Sequence, residues 1–188
     1  MNGSKELIRV LSDSPVIASC KNEEGLERAL ESDCSVIFLL FGNLCTMETL
    51  VRRVKDAGKM AFLHLDLIDG LSNRDIVVDF VREHTDADGI ITTRPNLIRR
   101  GRDVGLITVQ RFFLLDSIAL ENVIRQASYA DAVEILPATM PKVIHNLTNR
   151  IHLPLIAGGL IADKEDIMTA LSAGALAVSA TNADLWFL

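Results

Sequence analysis

The chain has 188 residues, of which 49% are apolar and 23% charged, and its formal net charge is −6. This length and composition predict one globular domain, residues 1–188, with a sizeable core. The charge excludes a protein that is basic over its whole surface, so an RNA- or DNA-binding surface has to be a local patch. The three cysteines form no CxxC pair, and no run reaches the roughly 18 apolar residues of a membrane span. We therefore expect a cytoplasmic protein with no metal site and no membrane partner.

Short apolar runs alternate with amphipathic segments along the whole chain. Eight of these runs predict β-strands, at residues 16–19, 36–41, 61–65, 89–92, 106–109, 132–136, 153–157 and 175–179. Because the strands are continuously apolar, they predict a parallel sheet covered by helices. We expect a compact TIM-like (β/α)₈ barrel with short loops. A doubly wound open sheet is the alternative, since periodicity does not separate the two.

Residues typical of helix ends lie between these runs. Ser72, with Asp75 three residues later, resembles a capping box, and Asp116 is placed to cap the helix that follows it. Prolines predict two helix starts and glycines predict two helix ends, at Pro95, Pro141, Gly58 and Gly174.

The ends of the seventh and eighth strands carry the most informative residues of the chain. Gly158 and Gly159 end the seventh strand, and Ser179 and Thr181 lie at the end of the eighth. A strand that ends in glycines and leads into a helix exposes backbone N–H groups that favour an anion. Two such ends side by side are typical of the phosphate site after strands 7 and 8 of a (β/α)₈ barrel. The sequence therefore predicts a phosphorylated ligand.

Four ionisable side chains, His64, Asp66, Arg111 and Glu134, lie on or directly after predicted strands. An unpaired buried charge costs several kcal/mol or more, so each of them needs a partner. The partner is either a ligand or an internal ion pair, in which Glu134 or Asp66 neutralises Arg111.

The strand around His64 also allows an enzymatic interpretation. His64 and Asp66 share one face, and residues 64–70 are similar to a strand signature of pentose-phosphate 3-epimerases. The other three histidines fall on helices or connections, which leaves a metal-dependent epimerase without further ligands. No predicted strand contains a lysine for a Schiff-base aldolase. Acid–base chemistry by Asp66 and Glu134 is what remains for an enzyme.

A second charged cluster lies between the fourth and fifth strands. A helix there would have an apolar face formed by Leu97, Ile98, Gly101 and Val104, with three arginines on its outer side and flank: Arg99, Arg100 and Arg102. Such a stripe suits the phosphates of a nucleic acid. A solvated helix face is the plain alternative.

Several long segments resemble the glycerol uptake operon antiterminators, also called glycerol-3-phosphate-responsive antiterminators. These segments are QRFFLLDSIALEN at 110–122, EILPATMPK at 134–142, IAGGLI at 156–161 and VSATN at 178–182, with HLDLIDGL at 64–71 and DGIITT at 88–93. Ala138 stands where the family usually has glycine, and Asp69 where it more often has glutamate. These two departures affect fine geometry and leave the ligand class unchanged.

The resemblance implies a barrel-shaped regulator without cofactor or enzymatic activity, which binds glycerol 3-phosphate and acts on a leader mRNA so that transcription passes a terminator. It assigns the phosphate to Gly158, Gly159, Ser179 and Thr181. It assigns the polyol hydroxyls or the remaining phosphate charge to Asp66, Arg111, Glu134 and Lys142, with His64 beside them. RNA would contact Arg99, Arg100 and Arg102.

Two alternatives to this function stay open at the level of sequence. One is a sugar-phosphate enzyme, and the other is a phosphate-ligand sensor that works through a protein partner. The apolar residues 185–188 pack on the barrel or form a subunit contact, so a homo-oligomer is also open.

Overall fold

Residues 3–188 are described by a computed structural model, in which helices and strands alternate. The α-helices are α1 Gly3–Asp13, α2 Glu23–Glu31, α3 Met47–Asp56, α4 Ile76–His84, α5 Pro95–Asp103, α6 Ser117–Gln126, α7 Pro141–Thr148 and α8 Lys164–Ser172. The strands are β1 Val16–Cys20, β2 Val36–Leu39, β3 Met60–His64, β4 Gly89–Thr92, β5 Ile107–Phe113, β6 Ala132–Leu136, β7 Leu155–Gly158 and β8 Ala177–Ala180. Short 3₁₀ helices cover Ala127–Tyr129 and Ala183–Phe187.

The strands close into a barrel. Each strand pairs in parallel with the next one along the chain, and β8 pairs in parallel with β1. The predicted TIM-type barrel is therefore confirmed, and the open sheet is excluded. Because all eight strands run the same way, their carboxyl ends meet at one end of the barrel, where such folds place their sites.

Apolar side chains fill the interior of the barrel towards its amino-terminal end. Alternate residues of the strands form a closed cluster, among them Ile17, Phe38 and Phe62, and this cluster includes Leu7 and Leu11 of α1. Helix α1 thus closes the amino-terminal end of the barrel. The sequence analysis did not predict this helix, although Leu7 and Leu11 have the i, i+4 spacing of one helix face.

Most of the predicted helix ends are confirmed, and one is wrong. The Asp116 carboxylate accepts a hydrogen bond from the Ala119 N–H at 2.8 Å and caps α6. The predicted capping box does not form, because α4 begins only at Ile76. Asp75 already has helical backbone angles, and the Ser72 hydroxyl accepts only a 3.4 Å bond from the backbone N–H two residues later.

Strand β5 is longer than the sequence indicated. It pairs with β6 as far as Phe113 beside Leu136, so that Arg111 lies within the strand, directly beside Glu134. At the carboxyl terminus the last 3₁₀ helix buries Leu185 and Trp186 against the barrel wall, and the Trp186 indole donates to the Ala180 carbonyl at 2.9 Å.

Candidate ligand site at the carboxyl end of the barrel

A cavity of about 630 Å³ opens at the carboxyl end of the barrel. Its lining comes from the ends of β1 and β8, from the segment after β7 and from side chains of β5 and β6. The lining residues are Ser19, Lys21, Leu40, Leu67, Arg111, Leu136, Gly159, Leu160, Ile161, Ser179, Ala180 and Thr181. Two of these twelve residues are cationic and none is acidic. The lining therefore favours an anion.

A buried ion pair lies beneath the cavity. Arg111 Nε donates to Glu134 Oε2 at 2.5 Å, and Ser179 Oγ donates to Glu134 Oε1 at 2.6 Å. Glu134 is 0% exposed and does not line the cavity. In residues 3–188 no hydrogen bond occupies the terminal nitrogens of Arg111, which lines the cavity. Glu134 holds Arg111 and Ser179 in place, so that Arg111 presents its terminal N–H donors to the cavity and the Ser179 oxygen keeps a lone pair as an acceptor.

This arrangement explains why residue 158 is glycine. A Cβ atom there would lie 2.4 Å from Ser179 Oγ and 2.8 Å from Glu134 Oε1, far inside van der Waals contact. The following residue, Gly159, has a φ of +75°, a backbone conformation that glycine adopts without strain. The glycine pair thus allows the strand to pass close to the ion pair and then turn along the rim of the cavity.

Asp66 is held by its own neighbours. Its carboxylate accepts hydrogen bonds from the Thr92 hydroxyl at 3.1 Å and from the Thr93 N–H at 2.7 Å, and Arg94 Nε lies 3.2 Å away. These bonds tie the segment after β3 to the end of β4. The Asp66 carboxylate therefore holds the ends of β3 and β4 together.

His64 is buried beside Arg111 and remains neutral at physiological pH. Burial and the positive charge of Arg111 lower the pKa of His64 from its usual 6.5 to about 4. Neither ring nitrogen has a hydrogen-bond partner in the part of the chain that the structure describes. His64 is thus a neutral polar group within the barrel.

The structure brings most of the predicted ligand residues together and separates one from them. Gly159, Ser179, Thr181 and Arg111 line the cavity. Gly158 and Glu134 lie directly beneath this lining. Asp66 lies near His64, and the positive charge of Arg111 lowers the pKa of His64. Lys142 lines a different cavity, between α7 and α8.

Two polar residues of the lining, Ser19 and Lys21, were missed. The sequence analysis ended β1 at Ser19 and gave them no role. Strand alternation was the signal for Ser19: Ile17 faces the barrel interior, so Ser19 does too. Cys20 instead faces the helices, where burial raises the pKa of its thiol to about 12.

The predicted arginine stripe lies on α5, with contacts to neighbouring elements. Arg100 binds Asp79 of α4, with Nη2 and Oδ1 2.5 Å apart. The Arg99 guanidinium lies 5.2 Å from the centre of the Tyr129 ring, and Arg102 donates to the carbonyls of Ser128 and Tyr129 at 3.4 and 3.3 Å. The three side chains therefore link α5 to both of its neighbours while leaving Arg99 and Arg102 exposed.

No helix within residues 3–188 is long and apolar enough to cross a membrane. The same residues contain no group of three or more histidine, cysteine and acidic side chains that could hold a metal ion.

Sequence comparison identifies the family. A family model described as glycerol-3-phosphate responsive antiterminator matches residues 16–186. The chain belongs to this family. The resemblance inferred from the sequence motifs is thereby confirmed, as is the inference of a regulator of antitermination in glycerol metabolism.

Individual proteins are similar to this chain in structure or in sequence. The glycerol uptake operon antiterminator regulatory protein of Listeria monocytogenes superposes with a TM-score of 0.89 at 32% identity, over 93% of this chain and 95% of that one. A glycerol uptake operon antiterminator-related protein of Thermotoga maritima superposes with a TM-score of 0.80 at 30% identity, over 91% and 96% of the two chains. The Escherichia coli K12 protein YgcP is 42% identical over 184 residues, which span 97% of this chain and 96% of YgcP.

Proposed function

We propose that this protein senses glycerol 3-phosphate in the cavity at the carboxyl end of the barrel, and that the ligand controls its action on the leader mRNA of a glycerol-utilisation operon. The observation that carries the proposal is the cavity lining, which combines two cations with the ends of β7 and β8 and contains no acid. Membership of the antiterminator family supports the choice of ligand and the regulatory role.

The chemistry of the ligand matches the groups available. A phosphate monoester needs several donors, and Thr181, Arg111 and the backbone around Gly159 supply them beside one another. The glycerol part needs acceptors as well as donors, and the Ser179 oxygen, whose proton goes to Glu134, supplies an acceptor. Apolar residues of the lining surround these groups and exclude water from the ligand.

For the RNA we propose the exposed side of α5, with Arg99 and Arg102 contacting phosphates and Arg100 at the flank. In a protein with a net charge of −6, this helix concentrates three arginines within four residues. It lies on the outside of the barrel, so bound RNA and a ligand in the cavity would not compete for the same atoms.

The ligand is tested first by thermal unfolding. A ligand at about 100 times its dissociation constant stabilises the folded state by roughly 2.7 kcal/mol, and each kcal/mol raises the Tm of a chain of this size by roughly 2 to 4 °C. We expect glycerol 3-phosphate to produce such a shift and glycerol or inorganic phosphate to produce smaller ones. No shift with any phosphorylated polyol would contradict the proposal.

The same samples separate a sensor from an enzyme. Both oxygens of Glu134 already accept hydrogen bonds, and Asp66 is bonded to threonine and arginine, which favours a positioning role for both carboxylates over acid–base work on a ligand. We expect glycerol 3-phosphate and pentose phosphates to be recovered unchanged, with or without divalent metal. Turnover, or deuterium uptake next to a carbonyl, would support the epimerase-like alternative instead.

A further inference from the structure

The end of β1 contributes two polar side chains to the cavity that the family motifs do not involve. Ser19 is the last inward-facing residue of β1, and Lys21 directly follows the strand. The register of β1 on β8 pairs Ala18 with Ala180, so Ser19 and Lys21 extend alongside Thr181 and the residues after it. Both therefore lie at the side of the cavity where β8 ends.

Ser19 is a buried hydroxyl without a partner. The residue is only 3% exposed, and its Oγ atom forms no hydrogen bond within residues 3–188. A buried polar group left unpaired destabilises the fold, and most such groups are paired with another group of the protein or with a molecule that the protein binds. Since Ser19 lines the cavity, a ligand there can supply the missing partner.

Lys21 differs from the other cations near the cavity. Arg111 is paired with Glu134, and Arg94 with Asp66. Lys21 is exposed and forms no ion pair within the described part of the chain. Because Glu134 offsets the charge of Arg111, Lys21 gives the lining its excess of positive charge.

We propose that Lys21 and Ser19 form a subsite for the phosphorylated polyol, in which the Lys21 ammonium binds the phosphate and the Ser19 hydroxyl binds a ligand hydroxyl. This rests on the proposed function of the cavity. Lys21 lies at the rim, beyond Thr181 in the pairing of β1 with β8, where its ammonium joins Thr181 and Arg111 in holding the phosphate. Ser19 lies deeper, two residues earlier in the chain, so a phosphate held by these groups directs the carbon chain of the ligand towards Ser19.

The subsite predicts different effects for the two side chains on two ligands. Glycerol 3-phosphate carries both a phosphate and hydroxyls, whereas propyl phosphate carries the phosphate alone. Loss of the Lys21 charge should weaken the binding of both ligands, whereas loss of the Ser19 hydroxyl should weaken the binding of glycerol 3-phosphate only.

The experiment is isothermal titration calorimetry of the full chain with both ligands. We expect Lys21→Gln to raise the Kd for both by roughly tenfold or more, the value of a charge-assisted hydrogen bond. We expect Ser19→Ala to raise the Kd for glycerol 3-phosphate by about fivefold, the value of a neutral hydrogen bond, and to leave propyl phosphate within about twofold. Lys5→Gln, which removes the same charge from α1 at the opposite end of the barrel, is the matched control and should bind both ligands like the wild type.

The outcomes separate the subsite from the function on which it rests. If the wild type binds glycerol 3-phosphate but Lys21→Gln binds it like Lys5→Gln, the role of Lys21 is overturned. If Ser19→Ala weakens both ligands equally or neither, the role of Ser19 is overturned. A wild type that binds neither ligand overturns the proposed function together with the subsite. Unliganded Ser19→Ala should melt no lower than the wild type, because its hydroxyl has no partner to lose.

Discussion

Arg111 and Glu134 lie inside the barrel with 2.5 Å between Nε and Oε2, whereas Arg100 and Asp79 reach the same 2.5 Å separation on the outer helices. The side chains of the inner pair are 9% and 0% exposed, and those of the outer pair are 38% and 24% exposed. Water and salt screen the outer pair far more than the inner one, whose Glu134 side chain is fully buried. Equal distances therefore correspond to very different energetic and functional roles.

Burial of the inner pair requires both charges to lose water, and removal of one partner lowers the free energy of unfolding strongly. It fixes an arginine and a serine at the base of the cavity, and the remaining donors of Arg111 are available to the cavity. The outer pair holds α5 against α4 and leaves the neighbouring arginines on the surface. In the function that we propose, the buried ion pair positions a small-molecule site, whereas the exposed one arranges charges over a surface for a large polyanion.

Removal of the Glu134 carboxylate is expected to have the largest effect. Glu134→Ala leaves Arg111 without a counter-charge and Ser179 without its acceptor, which should lower the free energy of unfolding by about 3 to 5 kcal/mol. Urea denaturation measures this change. Asp79→Ala is the matched control for the outer pair, and it should shift the unfolding midpoint only slightly.

A double replacement separates stability from binding. Arg111→Met with Glu134→Leu removes both charges together and should recover most of the lost stability, since a buried pair is often replaceable by apolar residues. Binding of glycerol 3-phosphate should still be lost. Equal unfolding midpoints for Glu134→Ala and Asp79→Ala would show that burial does not distinguish the two pairs.

The second effect concerns His64, the neutral neighbour of Arg111. Its pKa falls from 6.5 to about 4 on folding, so between these values the unfolded chain takes up a proton that the folded chain does not. As far as this group is concerned, the free energy of unfolding is highest above pH 6.5. It decreases as the pH falls from 6.5 towards 4, by on the order of 3 kcal/mol.

Comparison of wild type with His64→Leu isolates this contribution. The other three histidines are exposed and present in both proteins, so the difference between the two stability profiles belongs to His64. We expect the profile of His64→Leu to be flatter between pH 6.5 and 4. Parallel profiles would mean that His64 is protonated as readily in the folded chain as in the unfolded one.

The smallest effect on stability, and the most specific one, is expected from the outer arginines. For each phosphate contact on a single strand, log K for RNA binding should fall by about 0.7 per tenfold rise in salt, so alanine at Arg99, Arg100 and Arg102 should reduce the slope by about 1.4 for the two contacts proposed for Arg99 and Arg102. Leader mRNA titrations at several salt concentrations measure this slope. Glycerol 3-phosphate binding should be unchanged, and an unchanged slope would place the RNA surface elsewhere.

Some features of the structure could be predicted from the sequence, and others could not. The eight strands and the glycine and hydroxyl residues after β7 and β8 followed from local patterns, because strand hydrophobicity and helix ends are properties of short segments. Ser19 was detectable by alternation along β1, but Lys21 was not, since a lone lysine after a strand is usually solvated. Lys142 looked equivalent to the site residues in the motif and lies beside a different cavity, because the turn before α7 carries it to the outside of the barrel.

The sequence by itself determined the family, the alternation of strands and helices and the placement of polar groups at strand ends, all of which depend on the order of residues along the chain. Only the tertiary structure decided that the sheet closes, that Glu134 is the partner of Arg111 and Ser179, and that Ser19 has no partner. The reason is physical: ion pairing and burial depend on separations of a few ångströms between residues that lie 23 and 45 positions apart in the chain.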